Sequence, residues 1–263
     1  MHDLARQLLY AHVATFCLTL VFMAIARPAV PERLQKYGFA MRELGRWMYW
    51  FAKPVSRVLT ALGWSANAVT YLGLLLTTIT AVFAGYGHVG LAGIMLIWGN
   101  ICDVLDGELA RMQNTVRKSG AFLDSNLDRI SEIVLFAGLG VGSPERSGLY
   151  WAFGAAGASL LVSYARARGE GLGVSCPSGG LERPHRMLIL MFTLLGGCLV
   201  TLPTAQLAAQ IACAVIAVGA GTTAIARMVS IYGTLRRAEL PVQGFEPRKA
   251  PARPLRAWFT KGE

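Results

Sequence analysis

Apolar runs about as long as a bilayer is thick alternate along this chain with short polar stretches rich in Lys and Arg. Leu8 to Ala26 is a 19-residue apolar run, long enough to span, closed by Arg27 and Pro28. Pro31 to Gly63 turns amphipathic. Arg33, Lys36, Arg42, Arg46, Lys53 and Arg57 interleave there with Leu34, Met41, Trp47, Tyr49, Trp50 and Phe51, which suits either a helix in the headgroup plane or a connector with one solvated face. Ser65 is a credible N-cap for the next run, which ends near Gly85. Further spans follow at His88 to Asn100, continuing into an acidic end, and at Ser119 to Gly140 and Gly148 to Tyr164. After a polar loop from Arg166 to Arg186, the last two are Pro184 to Thr201 and Ala205 to Ile225.

The pattern predicts an all-α polytopic membrane protein. It has a six-helix transmembrane core, an amphipathic juxtamembrane helix and an extra N-terminal transmembrane helix. Ala24 and Ala26 resemble a signal-peptidase site, but Arg6 alone makes a weak basic n-region, so a retained helix is the favoured reading. The expected divisions are an N-terminal hydrophobic helix over 1–30, an amphipathic segment over 31–64, a membrane domain over 65–235 and a disordered basic tail over 236–263.

Composition agrees. In 263 residues the hydrophobic fraction is 54%, and mean hydropathy is +0.46, too apolar for an ordinary soluble domain. A formal net charge of +10 raises the question of nucleic acid, yet the cations cluster in loops between apolar runs and form no stripe. Of 25 Lys and Arg, only Arg6 and Arg146 fall in segments placed outside, as the positive-inside tendency requires. No nucleic-acid partner is expected. Cys17, Cys102, Cys176, Cys198 and Cys213 form no disulfide framework and read as small apolar residues.

One stretch does not fit a lipid environment. Asp103, Asp106, Asp124 and Asp128 lie where the surroundings read as membrane, and four unpaired carboxylates there would cost on the order of 10 kcal/mol. Asp103 and Asp106 share one helix face, Asp124 and Asp128 another, and the polar turn at Asn114 to Ser119 can bring the two faces together. Four carboxylates without a His or Cys set make a hard, all-oxygen site that favours Mg²⁺ or Mn²⁺, with room for two ions. Gly107 and Gly120 allow close backbone approach, and Arg111 is placed to hold phosphate oxygens.

Asp103-x-x-Asp106-Gly107-x-x-Ala110-Arg111, followed after eight residues by Gly120, then by Asp124 and Asp128 at intervals of three residues, resembles the signature of the CDP-alcohol phosphotransferases. The resemblance implies a binuclear metal site with Asp103, Asp106 and Asp124 as ligands and Asp128 as ligand and general base. It places Gly107, Arg111 and Gly120 against a CDP-lipid donor. Asn67 and Thr70 match a segment whose start helps to hold the donor's phosphates, with Ala66 where the family has Pro. A homodimer is the family's expected assembly.

A narrower resemblance lies in the later loop. Ser163, Tyr164, Arg166, Ala167, Arg168, Glu170, and then Glu182, Arg183, Pro184 and Arg186 resemble segments of the phosphatidylinositol phosphate synthases and their archaeal ether-lipid relatives, with His185 in place of the usual Glu. That implies inositol 1-phosphate as acceptor, its phosphate held by Arg166, Arg168, Arg183 and Arg186. The reaction expected is attack of the acceptor hydroxyl on the lipid-side phosphorus of a CDP-lipid such as CDP-diacylglycerol, with release of CMP. Glycerol 3-phosphate or serine is the alternative acceptor. An ion transporter would leave the Gly and Arg spacing unexplained, and an intramembrane aspartyl protease would require neither four carboxylates nor Arg111. The expected location is the inner membrane, with the site facing the cytoplasm.

Overall fold

The structure, a computed structural model, describes residues 1–26, 28–30, 32, 35, 38–175 and 179–238. Among the described residues it holds eight helices and no strand. They are α1 (His2–Ala26), α2 (Phe39–Ala61), α3 (Ala66–Gly85), α4 (Val89–Met112), α5 (Lys118–Val141), α6 (Arg146–Gly171), α7 (Arg183–Gly196) and α8 (Leu202–Ala238). The chain is all-α, as its periodicity predicts.

Helices α3 to α8 form the core and run alternately up and down, so the starts of α3, α5 and α7 share an end with the last turns of α4, α6 and α8. Small residues set their spacing. A Cβ at Gly138 on α5 would collide with the Ala81 carbonyl of α3, and one at Gly99 on α4 would stand 2.9 Å from Thr77 Oγ1. Without a hydrophobic drive between helices in lipid, such close backbone approach is what holds neighbours together. The main apolar core lies toward the opposite end from the aspartates, where Leu96, Leu135, Phe136, Leu190, Leu194 and Ile216 are buried. Large apolar side chains on the outer faces, among them Tyr71, Ile133, Phe153 and Val215, are exposed, as lipid contact requires.

By length and composition α1, α3, α4 and α8 are each apolar enough to cross a membrane. Helix α5 opens with charged residues, and α7 has 14 residues, about 21 Å at 1.5 Å per residue and short of a bilayer's ~30 Å. Its expected end at Thr201 is corrected to Gly196, since the chain turns at Gly197 against Val89, with Cys198 against Gly90. Two other expectations are corrected. Helix α6 continues through Arg166 and Arg168 to Gly171, where a loop was expected. Helix α8 runs past Ile225 to Ala238, so Arg236 and Arg237 belong to it and not to a tail. Residues 239–263, Arg27, Arg33, Leu34, Lys36 and Cys176 lie outside the described residues.

Helix α1 packs on the core through Ala5 and Leu9 against Leu91, Ile94 and Cys198. Trp98 Nε1 donates to His12 Nε2 at 3.2 Å, and Trp47 Nε1 to Thr19 Oγ1 at 2.9 Å. Helix α2 is amphipathic as expected. Its underside, including Ala52, Val55 and Leu59, packs against Val69, Leu105 and Leu109, directly beneath the acidic end of α4. Ser65 caps α3 as expected, accepting from the Ala68 amide at 3.2 Å.

Candidate active site

The acidic end of α4 and the first turns of α5 meet because residues 113–117 make a short turn between two helices that both pack on α3. Gln113 Nε2 ties that turn to the Trp64 carbonyl at 2.7 Å, fixing it beside the start of α3. Asp103 therefore faces Asp124 and Asp128, and one carboxylate oxygen from each lies within 4.8 Å of the others. Asp106, one turn further along α4, is buried. It lines the same cavity as Asp103 and Asp128, together with Thr70, Asn100, Ser131 and Arg183. Three of the four predicted ligands thus form a tight cluster, and the fourth adjoins it.

The donor set suits a divalent cation. Asp106 Oδ2 and Asp124 Oδ1 are buried and have no hydrogen-bond partner. An ionised carboxylate oxygen can only accept, and leaving it buried and unmatched is costly unless a cation takes the place of water. Oxygens of this kind are ligands for Mg²⁺ or Mn²⁺.

The residues expected around a CDP-lipid sit at the same end. Arg111 folds back over Gly107, where a Cβ would come within 3.4 Å of Nη1. Its guanidinium is held by Glu108 Oε2, 3.2 Å from Nε and 2.8 Å from Nη2, and lies 6.0 Å from the centre of the Tyr49 ring. Neither Glu108 nor Tyr49 stands out in the sequence as a partner of Arg111, although the three-residue step from Glu108 is a helical pairing distance. Asn67 is exposed on the first turn of α3, its Oδ1 3.9 Å from where a Cβ of Gly120 would stand. Thr70, one turn on, returns its hydroxyl to the Ala66 carbonyl at 3.1 Å and lines the cavity beside Asp106.

The four arginines expected to hold an acceptor phosphate have different surroundings. Arg183 reaches into the acidic cluster, with Nη1 3.1 Å from both oxygens of Asp103 and Nη2 2.9 Å from Asp128 Oδ1. Arg186 is fully buried and bound to Glu132 and to the Leu181 carbonyl, so in this structure it joins α7 to α5 and presents nothing to a ligand. Arg166 and Arg168 are exposed on the last turns of α6, where Arg166 meets Glu170 at 2.8 Å. The segment around Arg183 has a further anchor that the sequence does not reveal. Arg227 on α8 pairs with Glu182 at 2.8 Å and is buried beside it. That arginine lies beyond the expected end of the sixth span, so only a longer α8 could have pointed to it.

Comparison with known proteins covers these same elements. The sequence profile of the CDP-alcohol phosphatidyltransferase family matches residues 64–225, from the residue before the α3 cap to most of α8. The chain is 36% identical over 137 residues to the archaetidylinositol phosphate synthase of Methanothermobacter thermautotrophicus, covering 51% of this chain and 68% of that protein. It is 30% identical over 158 residues to the phosphatidylinositol phosphate synthase of Mycobacteroides abscessus, covering 54% and 68%. Among solved structures, the phosphatidylinositol phosphate synthase of Mycobacterium tuberculosis with CDP-DAG bound superposes with a TM-score of 0.63 at 25% identity, over 69% of this chain and 93% of that one. The same enzyme in complex with manganese and citrate gives a TM-score of 0.63 at 25% identity, over 69% and 88%.

Proposed function

The chain belongs to the CDP-alcohol phosphatidyltransferase family, and from that premise we propose that it transfers the phosphatidyl group of a CDP-lipid such as CDP-diacylglycerol to inositol 1-phosphate, releasing CMP. It is an integral membrane enzyme of phospholipid biosynthesis. The observation that most favours a phosphorylated acceptor is Arg183. A guanidinium from the segment resembling that of the phosphatidylinositol phosphate synthases stands within 3.1 Å of the acidic cluster, where an acceptor must enter.

Asp103, Asp106, Asp124 and Asp128 would hold the divalent ions, Mg²⁺ or Mn²⁺, two to a site. When bound, these neutralise the pyrophosphate and lower the barrier to its cleavage. Arg111, positioned by Glu108 above Gly107, takes donor phosphate oxygens by bidentate hydrogen bonds, and Asn67, Thr70 and Gly120 line the approach from α3 and α5. Asp128 receives the proton of the acceptor hydroxyl. That oxygen forms its new bond to the lipid-side phosphorus as the bond to the CMP oxygen breaks, and the protein contributes chiefly positioning and charge.

A site at one end of the bundle serves substrates of two kinds, a lipid whose tails need the bilayer and a sugar phosphate that needs water. Arg166, Arg168, Arg183, Arg236 and Arg237 crowd that end, which supports a cytoplasmic orientation in the inner membrane. A homodimer completes the reading.

The experiment is an acceptor panel. Purified protein receives CDP-diacylglycerol, Mg²⁺ and one of inositol 1-phosphate, glycerol 3-phosphate, serine or free inositol. CMP release fastest with inositol 1-phosphate bears the proposal out, and release with glycerol 3-phosphate or serine instead overturns the acceptor.

A further inference from the structure

We propose that the Arg183 guanidinium and a divalent cation are alternative occupants of the aspartate cluster, so that Arg183 leaves the cluster when metal is bound and then holds the acceptor's phosphate. This deepens the reading above and rests on it.

Three observations carry it. First, the Arg183 guanidinium pairs with Asp103 and Asp128, two of the three carboxylates that converge within 4.8 Å. Both Asp103 oxygens face the guanidinium. A divalent ion bound to those same oxygens would meet a like charge at close range inside a half-buried cavity, so the two cations compete for one place.

Second, the charge left unmatched is complementary. Arg183 Nε is buried without a hydrogen-bond partner, while Asp106 Oδ2 and Asp124 Oδ1 are buried without a donor. One guanidinium thus neutralises part of the acidic cluster and leaves one of its own donors unused. Metal on the carboxylates and a phosphate on the arginine would satisfy both sets.

Third, helix α7 does not need Arg183 to stay in place. Glu182 pairs with Arg227, Arg186 pairs with Glu132, and the Leu181 amide donates to Thr223 Oγ1 at 2.9 Å. Arg183 opens the helix between these anchors, at the end where backbone N–H groups favour an anion and disfavour a cation. Once the aspartates are engaged elsewhere, its long side chain can swing toward an incoming phosphate while the backbone remains fixed. Metal would then bind before the acceptor, and binding of each would strengthen the other.

Arginine reactivity in the wild-type protein tests this without relying on a variant. Protein stripped with EDTA is treated with phenylglyoxal, and adduct formation at Arg183 is followed by peptide mass spectrometry, with fully buried Arg186 as an internal reference. Mn²⁺ binding is measured in parallel by electron paramagnetic resonance. Saturating Mn²⁺ should speed modification of Arg183 by about 5-fold or more, and inositol 1-phosphate added on top should slow it again. Inositol 1-phosphate without metal should change little. In the absence of substrates Arg183→Gln should bind Mn²⁺ about 10-fold more tightly than wild type. Arg129→Gln, an equal loss of charge beside Asp128, should do so much less. If Mn²⁺ binds but the reactivity of Arg183 does not change, or if both variants tighten binding equally, the exchange is wrong while the metal site stands. If Mn²⁺ does not bind at all, the underlying reading fails with it.

Discussion

Arg186 and Glu132 face each other across α7 and α5 with almost no access to solvent, Nε 2.6 Å from Oε1 and Nη2 2.9 Å from Oε2. A fork-to-fork pair at that depth costs heavily to desolvate, so removing one partner is far worse than removing both. Arg186→Ala should destabilise the detergent-solubilised protein by about 3–5 kcal/mol, whereas the double change Arg186→Met with Glu132→Leu should recover most of that loss. Thermal unfolding of the two variants beside the wild type checks this. If the rescued double variant also shows an unchanged KM for inositol 1-phosphate, Arg186 is a strut of the fold and not a phosphate ligand.

Arg111 and Glu108 make the equivalent test on the donor side. Arg111 reaches Glu108 through Nε and Nη2, and only a guanidinium presents both donors to one oxygen in that plane. Arg111→Lys keeps the charge but loses the fork. The expected result is a fall in kcat/KM for CDP-diacylglycerol by roughly 10- to 100-fold, about 1.4–2.7 kcal/mol, with thermal stability little changed. Steady-state kinetics with donor varied at fixed acceptor measures it.

The close contact between α3 and α5 gives a structural prediction. Any Cβ at position 138 meets the Ala81 carbonyl, and the backbone cannot yield without opening the seam between α5 and α3, the helix on which both aspartate-bearing helices, α4 and α5, pack. Gly138→Val should cost at least about 1–3 kcal/mol and lower the yield of folded protein. Gly157→Ala, on α6 with open space around it, should be tolerated. Size-exclusion profiles and melting curves of the two variants separate these outcomes.

Much of this arrangement was legible in the sequence because membrane helices announce themselves by hydropathy and the acidic residues by their cost. Ser65 as a cap, the amphipathic α2, and the ends of α3, α4 and α5 all follow from local pattern. The later helices were harder for a definite reason. Hydropathy stops at a charge, yet α6 continues through Arg166 and Arg168 because those side chains are exposed and Arg166 finds Glu170 one turn on. Helix α8 continues past Ile225 because Arg227 is neutralised by Glu182, 45 residues away in the chain. The same blindness to long-range pairing grouped Arg186 with Arg183. Two arginines three residues apart at a helix start read alike, and only the position of Glu132 on α5 separates the buried strut from the one that reaches the site.

Asp128 stands 2.9 Å from Arg183 and, on the proposed mechanism, must accept a proton in the transition state. Asp128→Asn keeps the shape but removes both the base and a metal ligand. CMP release with inositol 1-phosphate should fall by at least about 100-fold, the contribution a positioned general base typically makes. Retention of the wild-type rate in purified Asp128→Asn would remove that residue from the chemistry.

The central claim is that carboxylates from α4 and α5 form one divalent-cation site on which phosphatidyl transfer depends, and metal depletion tests it most directly. Purified protein stripped with EDTA is given CDP-diacylglycerol and inositol 1-phosphate, and CMP is measured before and after Mg²⁺ or Mn²⁺ is restored. The account predicts negligible CMP from the stripped protein and full recovery with either ion, with recovery lost in Asp103→Asn. Undiminished CMP release in excess EDTA would contradict it.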